Sequence, residues 1–110
     1  MAGSEEDPGP LKKYKVDFRA AAQGDLAQIR EWYESRRIGL GRQFAERVAE
    51  VVARLESNPE SGPPVYAQVR RMLTRRFPYA VFYLIEREQV VVLGCRHHAQ
   101  NPETWPKPYG

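Results

Sequence analysis

The stretch from Ala80 to Cys95 constrains the fold more than any other. Ala80–Ile85 is a dense run of Val, Phe, Tyr, Leu and Ile, and Val90–Cys95 is rich in Val. Between them stands the polar break Glu86-Arg87-Glu88-Gln89. Branched and aromatic residues suit a pleated, half-buried surface, so two such runs around a short polar break predict a β-hairpin. A hairpin this apolar needs a cover. Leu26, Ile29 and Tyr33 recur at three and four residues, the spacing of one helical face. Leu40, Phe44, Val48, Val51 and Leu55 mark a second stripe, with Arg42, Glu46, Arg47, Glu50 and Arg54 filling the other side. Gly39 and Gly41 break the first helix from the second, and Asn58-Pro59 ends the second, because a residue before proline avoids the α region. Asp25 falls near the expected start of the first helix, and Arg36 and Arg37 fall at its end, each complementing the helix dipole. Two stripes joined by a short break predict an antiparallel helical hairpin whose Leu26, Ile29, Tyr33, Phe44, Val48, Val51 and Leu55 face the sheet.

Two further strands are expected. Tyr14-Lys15-Val16-Asp17-Phe18 alternates apolar and polar, and Val69–Thr74 leads into the hairpin. Residues 59–68, with Pro59, Gly62, Pro63 and Pro64, read as a loop. The order β-α-α-β-β-β predicts an α+β fold in two layers, a helical hairpin on a mainly antiparallel four-stranded sheet. With 110 residues there is room for one domain. Residues 1–12 read as a flexible leader, 13–105 as the single domain and 106–110 as an irregular tail. No apolar run approaches the ~20 residues of a membrane span, and the acidic, Gly/Pro-containing start has no signal-like apolar segment. Cys95 is the single cysteine, which excludes an intramolecular disulfide. A cytoplasmic location and no membrane partner are the expectation.

The net charge is +3, and it is unevenly placed. Residues 1–68 hold 10 Lys/Arg against 11 Asp/Glu, and residues 69–110 hold 7 against 3, so the halves carry −1 and +4. A basic C-terminal third suits an anionic partner, nucleic acid or acidic protein, or serves only solubility. No CxxC, HExxH, Walker A or GxGxxG motif occurs, so the sequence calls for no cofactor and no metal. His97 and His98 are the only histidines, and strand alternation would send them to opposite faces. Cys95 follows Val91 and Leu93 at alternate positions and reads as a buried apolar cysteine rather than a nucleophile. The remaining signal is arginine: Arg70, Arg71, Arg75, Arg76 and Arg96, on or beside the sheet. The guanidinium fork matches phosphate and carboxylate oxygens. Phe77, Tyr79, Phe82 and Tyr83 lie close by in sequence and could stack bases, or one of Phe82 and Tyr83 could fill the core beneath a solvated sheet face.

The helix with Asp25-Leu26, Ile29 and Tyr33 belongs to a wider pattern. It continues in Arg70-Arg71-Met72-Leu73, in Arg76-Phe77-Pro78-Tyr79-Ala80-Val81-Phe82-Tyr83, and in a closing strand ending at His97 before Asn101-Pro102 and Trp105. In order and spacing this resembles the RelE/ParE superfamily of toxins from type II toxin–antitoxin modules, over about Lys13 to Trp105. The resemblance implies a small basic toxin that arrests growth. It implies a cognate antitoxin encoded nearby, which wraps the toxin in a hetero-oligomer. One branch of the superfamily cuts mRNA on the ribosome, with basic residues at the scissile phosphate and a histidine, tyrosine or lysine moving the proton. The other branch binds and inhibits DNA gyrase. Relatives in the nuclease branch often carry arginine where this chain has Ala80, and a tyrosine or basic residue where it has Ala99 and Gln100. A ParE-like toxin acting on gyrase or another protein is therefore the preferred expectation. The alternative is a ribosome-dependent endoribonuclease with Arg76, Arg96 and His98 as catalytic candidates, and the lesser one a non-toxic nucleic-acid-binding module. Under any of these, Arg70, Arg71, Arg75, Arg76, Tyr79, Arg96, His97 and His98 are the candidate binding residues. His97 is expected to be structural, hydrogen-bonded at the sheet rim, and His98 exposed.

Overall fold

The two apolar runs form a hairpin. Strand β4 (Tyr79–Glu86) and strand β5 (Gln89–His97) pair antiparallel, and Arg87 takes a φ of 59° in the turn between them. This computed structural model describes residues 13–108; the leader expected at residues 1–12 lies outside the described residues. Strand β1 (Lys15–Phe18) runs parallel to β5, and strand β3 (Val69–Leu73) runs antiparallel to β4. Beyond β3 lies a fifth strand, β2 (Pro64–Tyr66), so the sheet order is β1-β5-β4-β3-β2. The sheet thus has one strand more than expected, inside the segment read as a loop, where a short 3₁₀ turn (Pro59–Ser61) precedes it. Pro64 is tolerated because it opens an edge strand, where a missing N–H leaves no ladder bond unmade.

Helix α1 (Ala20–Arg36) begins earlier than the apolar spacing indicates, because Ala20, Ala21 and Ala22 are strong helix formers. Asp25 consequently lies past the first turn and does not serve the helix N-terminus; Arg36 does lie in the last turn. Helix α2 (Leu40–Ser57) follows Gly39, whose φ of 91° makes the break. Gly41 does not break anything: it lies inside α2, where an added Cβ would stand 2.7 Å from the Arg30 carbonyl oxygen. Close helix crossing requires glycine at that point. Glu34 ends the hairpin neatly, its carboxylate accepting the Gly39 and Gly41 amides, each at 3.0 Å.

On the helix side of the sheet, Phe44, Val48, Val51 and Leu55 are buried against Met72, Val81, Tyr83, Val90, Val92 and Cys95, with Leu26, Ile29 and Tyr33 half-buried beside them. The other face is not bare. Val69, Ala80, Phe82, Leu84 and Leu93 form a second cluster closed by Val65, Tyr66, Val91 and Trp105. Phe82 and Tyr83 are therefore both buried, one on each face, rather than one of the two. The cover is the segment after β5: Trp105 stacks on Tyr66 and lies 5.1 Å from the Phe82 ring, and the buried Pro106 packs at Gly94.

A bulge in β5 reassigns its faces. Phe82 pairs with Gly94 and Tyr83 with Val92, which leaves Leu93 as an extra residue. Val90 and Val92 face the helices before it, and Cys95 does so after it. Val91 and Leu93 belong to the outer cluster, so Cys95 does not share their face as simple alternation suggests. Among the described residues no helix is long and apolar enough to cross a membrane.

Candidate functional site

Strand β1 ends at Phe18, opposite Val92, and the Arg19 amide makes one further bond to the Val92 carbonyl. From there β5 has an open edge, where backbone amides lack a strand to bond. Side chains take the strand's place. The Asp25 carboxylate accepts the Cys95 amide at 2.9 Å, and the Gln100 amide oxygen accepts the His97 amide at 3.1 Å. An open cleft of about 400 Å³ follows this edge, lined by Asp25, Gln28 and Ile29 of α1 and by Tyr79, Cys95, Arg96 and His97.

Arg96 reaches this edge from the outer face. Its guanidinium pairs with the Asp25 carboxylate and donates to the Thr104 carbonyl. Its charge is thus matched within the fold. Cys95 lies beneath, and burial, then the nearby Asp25 carboxylate, pushes its thiol up to about 12. At neutral pH it is a thiol and not a thiolate nucleophile.

Tyr79 sits at the centre of an aromatic group. Its ring lies 5.5 Å from His97, 5.7 Å from Phe44 and 6.1 Å from Tyr33. Burial, and then the neighbouring Tyr79, raises the Tyr33 hydroxyl above its ordinary value. His97 Nδ1 accepts the Ala99 amide at 3.1 Å, which places the ring proton of the neutral form on Nε2. His98 is exposed, and its amide donates to the Pro78 carbonyl. The two imidazoles lie 5.3 Å apart, side by side rather than on opposite faces. Strand β5 ends at His97, so His98 is released from strand alternation.

The arginines divide into three settings. Arg70 donates to the Glu60 and Gly62 carbonyls and fastens the 3₁₀ turn to β3. Arg71 lies over the Trp105 ring at 5.3 Å on the outer face. Arg75 and Arg76 occupy the β3–β4 turn, which the Thr74 hydroxyl holds by donating to the Phe77 and Tyr79 carbonyls. Arg75 pairs with Glu50 at 3.5 Å, while Arg76, at a φ of 69°, is exposed. Arg75, Arg76, Tyr79, His97 and His98 therefore gather at one end of the sheet, with Arg96 at its rim; Arg70 and Arg71 stand apart. Asp25 is the residue of this region that sequence spacing does not reveal, since its partners Cys95 and Arg96 are distant in the chain. Trp32 and Arg36, stacked at 4.4 Å near the same end, are legible as an i,i+4 pair.

The family model described as the ParE toxin of the type II toxin–antitoxin system parDE matches residues 16–102. No curated protein matches the sequence. Among solved structures, a chain of the chromosomal ParDE system from P. aeruginosa superposes with a TM-score of 0.69 at 17% identity, covering 78% of this chain and 97% of that one. A chain of the RelBE2 toxin–antitoxin complex from Mycobacterium tuberculosis superposes with a TM-score of 0.59 at 25% identity, covering 83% of this chain and 98% of that one. The family match runs from β1 to the first turn beyond β5, so it takes in both helices, the sheet and the cleft at its edge: the chain belongs to the ParE toxin family of type II toxin–antitoxin systems.

Proposed function

We propose that this toxin arrests growth by occupying a protein target, DNA gyrase or another protein, and not by cutting RNA. The observation that carries this reading is the Asp25–Arg96 pair. A phosphate-cleaving centre needs free cations where charge develops in the transition state. Here the cation at the end of β5 is held by a carboxylate and by the Thr104 carbonyl. Ala80, at the position where nuclease relatives often carry arginine, is fully buried under the outer cluster. His97 Nδ1 is occupied by the Ala99 amide and offers no free lone pair as a base.

The test is growth arrest from an inducible promoter, with mRNA ends mapped in the same cells. Arrest persists in His98→Ala, falls in Arg76→Glu, and brings no new mRNA ends. Codon-phased cuts that disappear in His98→Ala would overturn the reading in favour of ribosome-dependent cleavage.

An antitoxin encoded beside the toxin neutralises it. Both solved relatives come from toxin–antitoxin assemblies. This chain offers an apolar groove of about 270 Å³ between its helices, lined by Leu26, Ala27, Arg30, Phe44, Ala45 and Val48. The complex buries ~2,000 Å² or more in total, and its on-rate falls with salt, as the basic C-terminal third requires of an acidic partner. Failure of the neighbouring gene product to co-purify with this chain counts against the antitoxin.

A further inference from the structure

The tip of the helical hairpin carries the most exposed large apolar side chains of the helices. Ile38 is 93% exposed and Trp32 50%. Ile38 lies in the break between α1 and α2, immediately before Gly39 with its φ of 91°. Trp32 is not loose: the Arg36 guanidinium lies 4.4 Å from its ring centre and the Tyr33 ring 5.2 Å away. Tyr33 in turn contacts Phe77 at 4.9 Å, which brings the Arg75-Arg76 turn to the same end of the molecule. Two of the acids there are engaged, while Glu31 stands exposed beside Trp32. Glu34 caps α2 through the Gly39 and Gly41 amides, and Glu50 pairs with Arg47 and Arg75. Among the described residues, Arg37 and Arg76 have no acidic partner. The tip is therefore a held tryptophan and an exposed isoleucine flanked by Arg36 and Arg37.

We propose that this tip, Trp32 with Arg36, Arg37 and Ile38, is the surface that engages the toxin's protein target, and that the target meets it with an acidic patch around an apolar pocket. The assignment rests on the protein-target reading above and adds to it where contact is made. Trp and Arg are the residue types that dominate binding energy at protein interfaces, above all where a side chain is ordered before contact. The arginines select an acidic partner and speed its encounter. Nucleic acid fits the tip less well. Arg36 already covers one face of the indole that a base would stack on, and an exposed Ile38 gains nothing against phosphates.

The experiment compares Trp32→Ala, Ile38→Glu and the double change Arg36→Glu with Arg37→Glu in the full chain. Growth arrest, capture by the co-expressed neighbouring gene product and thermal melting are read together, with mRNA ends mapped for the unaltered chain. Each change raises the inducer dose needed for arrest by about tenfold or more, while antitoxin capture and melting stay as they were. Arrest at the original dose in all three, without mRNA cuts, overturns the tip assignment and leaves the protein-target reading standing. Codon-phased cuts by the unaltered chain overturn the protein-target reading itself. Loss of antitoxin capture with arrest retained makes the tip an antitoxin surface and overturns the proposal. A single-stranded RNA oligonucleotide bound by the unaltered chain but not by Trp32→Ala overturns it in favour of nucleic acid.

Discussion

Asp25 does the work of several residues of strand. Its carboxylate satisfies the Cys95 amide and pairs with Arg96 at the one edge of β5 that β1 leaves open. Asp25→Ala leaves the Cys95 amide without a partner and a half-buried guanidinium without its carboxylate, and should lower the unfolding free energy by about 2 kcal/mol in urea titration. Asp25→Asn keeps an acceptor for the amide and should lose less. Were the two changes equally costly, the ion pair and not the amide would carry the effect. Cys95 invites a sharper check. With its thiol pushed up to about 12 and its side chain buried, it should resist a thiol reagent near neutral pH in the native chain and label at once in denaturant. Labelling of the native chain at the denatured rate would show this end of β5 to be open.

The helical hairpin turns on Glu34. Two backbone amides bind its carboxylate, and they hold its pKa below the ordinary value in the folded chain. A depressed folded pKa contributes stability that is whole above the unfolded value, about 4.3, and is lost as pH falls through the folded one. Acid titration of the urea midpoint should therefore fall more steeply in the unaltered chain than in Glu34→Gln; parallel curves would remove Glu34 from the account. The elements themselves were unequally legible. The α2 stripe from Leu40 to Leu55 is visible because one face is buried and the other charged. Strand β2 is hidden behind Pro63 and Pro64, since three edge residues carry no period. The Leu93 bulge is invisible for a different reason: Val90–Cys95 is apolar at nearly every position, so there is no alternation for an extra residue to interrupt. The end-of-sheet cluster around Tyr79 and His97 could be anticipated from neighbouring strands. The Asp25–Arg96 pair, a contact between α1 and β5, could not.

At the scale of the whole molecule, the segment after β5 is part of the core although it has almost no regular structure. Trp105 closes the outer cluster, Pro106 is buried at Gly94, and Arg19 donates to the Pro108 carbonyl. Trp105→Ala should lower stability by about 3 kcal/mol, measured by denaturant unfolding. Gly94→Ala should loosen the segment by a different route, because a Cβ there would stand 2.6 Å from Pro106 Cγ and 2.9 Å from the Asp25 carboxylate; a red-shifted tryptophan emission without loss of helix would register it. The parallel pairing of β1 with β5 carries a consequence in time. Lys15 finds its place beside Gln89, so the first strand made must wait for the last. At a synthesis rate of roughly 5–20 residues per second that wait is about 4–15 s. Throughout it the α2 stripe has no finished sheet to lie on. A toxin arranged this way cannot complete its sheet until β5 has been made, and until then its helical hairpin is the part on offer to an antitoxin already present.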